Sequence, residues 1–122
     1  MRHVLVIDDE PDIREGIAEL LEYEGYQVSM AANGREGVRL FREGRFDLVI
    51  TDIVMPEQEG IETIRIIRKE APQARIIAIS GGGRVDPLGY LAMAKKLGAD
   101  RVFEKPVDID DLLAAMNQLL AA

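Results

Sequence analysis

Four apolar residues in an unbroken row, Val4, Leu5, Val6 and Ile7, give way at once to Asp8-Asp9-Glu10. A strand with one wet face alternates apolar and polar positions, whereas a strand with no polar position must be covered on both faces. Helices on both sides of a sheet supply that cover. The same kind of run recurs at Leu48-Val49-Ile50, ended by Thr51-Asp52, and at Ile76-Ile77-Ala78-Ile79, ended by Ser80-Gly81-Gly82-Gly83. Shorter or weaker versions are Gln27-Val28-Ser29-Met30 and Arg101-Val102-Phe103, the latter ended by Glu104-Lys105-Pro106.

The intervals between these runs read as helices. Pro11 suits a first helical turn, and Ile13, Ile17, Leu20 and Leu21 keep helical spacing until Gly25. Asn33 is a candidate N-cap for a helix carrying Val38, Leu40 and Phe41 and stopped near Gly44. Residues Glu59 to Glu70 carry Ile61, Ile64, Ile66 and Ile67 between Gly60 and Pro72, which predicts a helix despite their β-branching. Asp86-Pro87 opens another through Leu91, Ala94 and Leu97, closed by Gly98, and Asp108 caps a last one with Leu112, Leu113, Met116 and Leu119. Strands and helices alternating with short connections predict an α/β domain with a doubly wound parallel sheet and right-handed crossovers.

The 122 residues suffice for one domain, taken as 1–122, and leave no room for a separate catalytic or DNA-binding unit. A net charge of −7 argues against nonspecific binding to nucleic acid or an anionic membrane. With no cysteine and one histidine, His3, any metal must be held by oxygen. The first residues lack the length of a signal segment and no apolar run approaches membrane length, so cytoplasmic residence is expected.

If the runs are parallel strands of one sheet, Asp8-Asp9, Asp52, Ser80 and Lys105 meet at its carboxyl edge, where such sheets bind ligands. Three carboxylates there repel one another, and a hard divalent cation such as Mg²⁺ resolves the conflict, since it favours oxygen and is held by one or two carboxylates plus phosphate oxygens. That is the composition of a phosphoryl-transfer site, with one carboxylate as nucleophile, Lys105 against the charge of the transferred group and the Ser80 hydroxyl donating to it. Singly, each piece has a plain explanation: a solvated turn at Asp8-Asp9, a flexible loop at Ser80-Gly81-Gly82-Gly83, a strand-end carboxylate at Asp52. Their conjunction at the ends of strands one, three, four and five, with none at strand two, is what carries the reading.

Val6-Ile7-Asp8-Asp9-Glu10-Pro11, Asp52-Ile53-Val54-Met55-Pro56 with Gly60, Ala78-Ile79-Ser80-Gly81, Gly98-Ala99-Asp100 and Lys105-Pro106, in this order, closely resemble the receiver domain of two-component response regulators, over residues 3 to 120. The resemblance implies a flavodoxin-like sheet of order 2-1-3-4-5. It implies a phosphorylation-dependent switch in which Asp52 accepts a phosphoryl group from a histidine kinase or phosphotransfer histidine. Asp9 would contact Mg²⁺ directly, Asp8 mainly through water, and the Val54 carbonyl would complete the protein ligands. Ser80 and Lys105 would engage the phosphoryl group, and Pro106 would follow a cis peptide bond.

Three positions depart from the family's usual pattern. Val102 stands where Tyr or Phe often reports phosphorylation, and Phe103 should face the other side of the sheet. Output is therefore expected through the Gly81-to-Gly89 loop and the following helix. Val54 and Gly82 offer no side chain to an attacking water, so a long-lived acyl phosphate is expected.

Other residues have plain readings. His3 reads as exposed, Met55 and Met93 as packing residues, Glu57-Gln58-Glu59 as a solvated loop, and Arg65, Arg68, Lys69, Lys95 and Lys96 as helix-surface charges. Two other functions compete: a magnesium-dependent aspartyl-phosphate phosphatase, weakened because Val54 sits where a second carboxylate is wanted, and a receiver-like interaction module that is never phosphorylated. The expected partners are the phosphodonor and a downstream target or attached effector, with room for a homodimer through the fourth and fifth helices. Leu119-Leu120-Ala121-Ala122 falls where the fifth helix should finish, which suits either a stand-alone regulator or a domain of a longer one.

Overall fold

In chain order the elements are β1 (His3–Ile7), α1 (Pro11–Tyr23), β2 (Gln27–Ala31), α2 (Gly34–Glu43), β3 (Leu48–Asp52), α3 (Glu59–Glu70), β4 (Ile76–Ser80), α4 (Tyr90–Leu97), β5 (Arg101–Glu104) and α5 (Ile109–Leu120). They come from a computed structural model that describes residues 2–53, 59–80 and 90–121. All strand pairs are parallel, and the sheet runs β2-β1-β3-β4-β5, as the resemblance implies.

The unbroken apolar runs occupy the middle of the sheet. Every residue of β3 and β4 is buried, and β1 is buried from Val4 to Ile7. Alternate residues of a strand face opposite sides, so β1 splits between two cores. Leu5 and Ile7 pack with Ile61, Ile64 and Ile67 of α3 and Ala94 of α4. Val4 and Val6 pack with Ile17 and Leu21 of α1 and with Leu112, Ala115 and Met116 of α5. The β-branched α3 is helical because burial outweighs intrinsic preference. Each buried isoleucine contributes about 1.5–3 kcal/mol, against a few tenths lost in helix propensity.

The helix ends follow the expected chemistry. Asn33 Oδ1 accepts from the Glu36 amide at 2.8 Å, and Asp108 Oδ1 from the Asp111 amide at 3.1 Å. After α4, Gly98 has φ +118°, a conformation that side-chain-bearing residues rarely adopt. The carbonyl of Gly98 accepts from Arg68 Nη2 at 2.6 Å and from Arg68 Nε at 3.2 Å.

Three sequence expectations, for Arg68, His3 and Met93, need correction. Arg68 is no mere surface charge: besides Gly98 it donates to the Pro72 carbonyl at 2.6 Å and to Asp100 Oδ2 at 3.1 Å, and Asp100 Oδ2 also accepts from the Ile76 amide. Lys95 is exposed on the surface of α4, as expected, and its Nζ bonds the Asp100 carbonyl at 2.7 Å. His3 is half-buried: its ring lies 4.3 Å from that of Phe46, Nε2 is 2.8 Å from Ser29 Oγ and Nδ1 is 3.2 Å from the Arg45 carbonyl. Met93 is 40% exposed, because the inner face of α4 is taken by Ala94 and the partly buried Leu97. Arg65 is exposed and pairs with Glu62, as expected of a surface charge. The readings made for Val54, Met55, Pro56, Glu57, Gln58 and the 81–89 segment, with Gly81, Gly82, Gly83, Asp86, Pro87 and Gly89, lie outside the described residues.

Candidate functional site

Parallel register carries the candidate side chains to one edge. Ile7 is level with Thr51 across β1 and β3, Asp52 with Ile79 across β3 and β4, and Ser80 with Glu104 across β4 and β5. The residues that follow continue the ladder: the Asp8 amide bonds the Ala31 carbonyl, the Ile53 amide the Ile79 carbonyl, and the Lys105 amide the Ser80 carbonyl at 2.7 Å. Asp8, Asp52, Ser80 and Lys105 are all buried, while Asp9 and Glu10 are exposed at the rim. The Lys105–Pro106 peptide bond is cis.

The hub of the cluster is the Lys105 ammonium. Its Nζ lies 3.0 Å from Asp8 Oδ2 and 3.2 Å from Asp52 Oδ2. A third carboxylate, Glu10 Oε1, is also 3.2 Å away. Burial works to lower the Lys105 pKa, but the attraction of Asp52 and the hydrogen bond and charge of Asp8 outweigh it and hold the ammonium above its ordinary range. The α1 entry is fastened to the same place, with Asp8 Oδ1 accepting from the Glu10 amide at 2.9 Å and Arg14 Nη1 donating to the Asp8 carbonyl at 2.9 Å.

Asp8, Asp9, Glu10 and Asp52 each present one ligand oxygen, and these four atoms all lie within 4.8 Å of one another. An all-oxygen donor set of this charge fits a hard divalent cation and no thiophilic one. The Ser80 hydroxyl has no hydrogen-bond partner among the described residues and stands at the same edge, where it can donate to an incoming anion. Gly60, in the first turn of α3, packs directly on the strand that bears the central carboxylate: a Cβ there would lie 2.2 Å from the Asp52 carbonyl oxygen and 2.4 Å from Ile53 Cα. On β5, Val102 packs into the core shared with α3 and α4, and Phe103 into the opposite one.

Each side chain expected at the site and described is therefore at this edge: Asp8, Asp9, Asp52, Ser80 and Lys105. Val54 lies outside the described residues. Sequence reading missed the reach of Glu10 to Lys105. Its place directly after Asp8-Asp9 was the available signal, but spacing alone does not tell whether that side chain turns inward.

Residues 4–117 match the family described as the response regulator receiver domain. The chain belongs to that family. Among curated relatives of this receiver domain, the protein PilH of Pseudomonas aeruginosa is 36% identical over 121 residues, with 99% of both chains covered. The sporulation initiation phosphotransferase F of Bacillus subtilis is 33% identical, covering 96% of this chain and 92% of the relative. The chain spans about half the length of other relatives, among them the uncharacterized transcriptional regulatory protein YkoG of Bacillus subtilis, at 33% identity, 97% of this chain and 50% of the relative. A receiver domain structure from Clostridium thermocellum superimposes with a TM-score of 0.90 at 37% identity, covering 99% of this chain and 95% of that one. Response regulator TrrA from Thermotoga maritima, solved in complex with Mg²⁺ and BeF, superimposes with a TM-score of 0.83 at 37% identity, covering 98% of this chain and 100% of that one. This receiver domain is thus a signalling domain of two-component systems, and among its described residues no helix is long and apolar enough to cross a membrane.

Proposed function

We propose that Asp52 is the phosphoacceptor of a Mg²⁺-dependent switch, and that residues 1–122 form one receiver domain. The observation that carries this is the buried Asp52 carboxylate, 3.2 Å from the Lys105 ammonium and within 4.8 Å of three further carboxylate ligands. Asp8, Asp9 and Asp52 would hold Mg²⁺, with the Val54 carbonyl as a further ligand. The cation supplies neutralisation of charge on the transferred phosphoryl group.

An Asp52 oxygen attacks the phosphorus of a phosphohistidine on a histidine kinase or phosphotransfer protein. The oxygen–phosphorus bond forms as the nitrogen–phosphorus bond breaks, and the imidazole leaves with the electron pair. Lys105, whose Nζ already lies beside Asp52, meets the negative charge brought by the phosphoryl oxygens, and the Ser80 hydroxyl donates to one of them. Burial of both groups strengthens these contacts relative to water. Output passes by protein contacts to a separate target or an attached effector, without nucleic acid bound by this domain, and in the cytoplasm. The domain has no external substrate beyond the phosphodonor. Val54, where a phosphatase wants its second carboxylate, disfavours that enzyme.

Intact-mass spectrometry after incubation with acetyl phosphate tests the reading. The expected result is a single phosphoryl adduct that requires Mg²⁺ and is absent from Asp52→Asn. An adduct that survives in Asp52→Asn would sink the assignment.

A further inference from the structure

Lys105 is held by three carboxylates, and they are not alike. Asp8 and Asp52 sit on strand ends with side chains 3% and 2% exposed, whereas the Glu10 side chain is 56% exposed and stands on the turn into α1. An ammonium has three donors, so Asp8, Asp52 and Glu10 together saturate it. The two inner carboxylates are also the ones that a divalent cation would take. A cation arriving there competes with the ammonium, whose side chain is only 6% exposed and which cannot be left buried without a partner. Of its three partners, Glu10 alone has the side-chain length and exposure to follow it.

We propose that Glu10 is a positioning residue: it receives the Lys105 ammonium as Mg²⁺ takes Asp8 and Asp52, and so holds Lys105 ready beside the site until phosphoryl oxygens draw it back. This rests on the magnesium reading above. It assigns Glu10 a role through Lys105 and not as a metal ligand, two roles that a double-mutant cycle separates.

The measurement is isothermal titration of the full chain with Mg²⁺, in wild type, Glu10→Gln and Glu10→Asp, each with Lys105 and with Lys105→Met. Aspartate keeps the charge but shortens the reach by one methylene, so both variants lose the receiving partner. With Lys105 present, both are expected to bind Mg²⁺ about fivefold more weakly than wild type, a modest coupling for residues in contact. In Lys105→Met, where there is no ammonium to place, the Glu10 variants are expected to match the Lys105→Met parent within about twofold. Thermal melts establish that each variant is folded; Lys105→Gln replaces Lys105→Met if that one is not. The comparison of Glu10→Asp with wild type needs neither.

Wild-type affinity in Glu10→Asp would overturn the proposal, because charge alone would then account for Glu10. An effect of full size in the Lys105→Met background would also overturn it, because Glu10 would then act on the metal itself. Failure of the wild type to bind Mg²⁺ would remove the reading of the site and this proposal with it.

Discussion

Lys105 is where the charge balance of the site rests. With three carboxylates around one buried ammonium, removing the ammonium takes from the buried Asp8 and Asp52 carboxylates the cation they share. Lys105→Met is therefore expected to lose about 3–5 kcal/mol in metal-free urea denaturation, with much of the loss recovered on adding Mg²⁺. The pH dependence has a definite sign. A lysine whose folded pKa is raised contributes stability that is fully present below its unfolded value of 10.5 and is lost as pH rises through the folded value. The stability gap between wild type and Lys105→Met should stay constant from neutral pH up to about 10 and shrink only above 10.5, followed by circular dichroism. Loss of the gap near neutrality would contradict the pairing. Asp52, Asp8 and Lys105 were all legible in the sequence, because each ends an apolar run. Glu10 was not, since which way a rim side chain turns depends on a lysine ninety-five residues later.

At the scale of elements, α3 decides how the central carboxylate is presented. Its first turn is pressed against β3 so closely that the missing side chain of Gly60 is the only thing allowing the contact. Gly60→Ala is expected to cost about 1–3 kcal/mol and to slow adduct formation with acetyl phosphate, because the strand end itself must give way. A normal rate in this variant would show that the Asp52 end of the strand tolerates displacement. At its other end α3 holds the turn between α4 and β5 through Arg68, which donates to the carbonyls of Pro72 and Gly98 and to Asp100. Arg68→Ala is expected to cost about 2 kcal/mol, read as a drop in Tm. The existence and type of the elements were readable, α3 included, since periodicity reports which positions face a core. The Arg68 network was not. Periodicity marks Arg68 as off the apolar stripe, and only the folded turn at Gly98 brings carbonyls within its reach.

For the molecule as a whole, the strand order is the property that matters most. Local pattern established that the strands are parallel and covered on both faces, but nothing local distinguishes neighbours in the sheet; that part came with the family resemblance and agrees with the observed β2-β1-β3-β4-β5. Because the site joins residues from both ends of the chain, binding there should stabilise the entire fold. Mg²⁺ at a hundred times its Kd is expected to add about 2.7 kcal/mol to unfolding in one cooperative transition. Asp9→Asn should lose most of that gain, and a gain unchanged in that variant would place the cation elsewhere.

The position of β5 at the sheet's edge has a consequence for biosynthesis. A ribosome delivers β1, α1, β2, α2 and β3 first, so the three-strand half-sheet β2-β1-β3 can form while the rest is still being made. That half-sheet already gathers Asp8, Asp9 and Asp52, whereas Lys105, whose ammonium contacts both Asp8 and Asp52, follows fifty-three residues after Asp52. Until then that edge lacks the ammonium that bridges Asp8 and Asp52, which disfavours early consolidation there and makes β5 the strand that completes both the sheet and its ability to be switched.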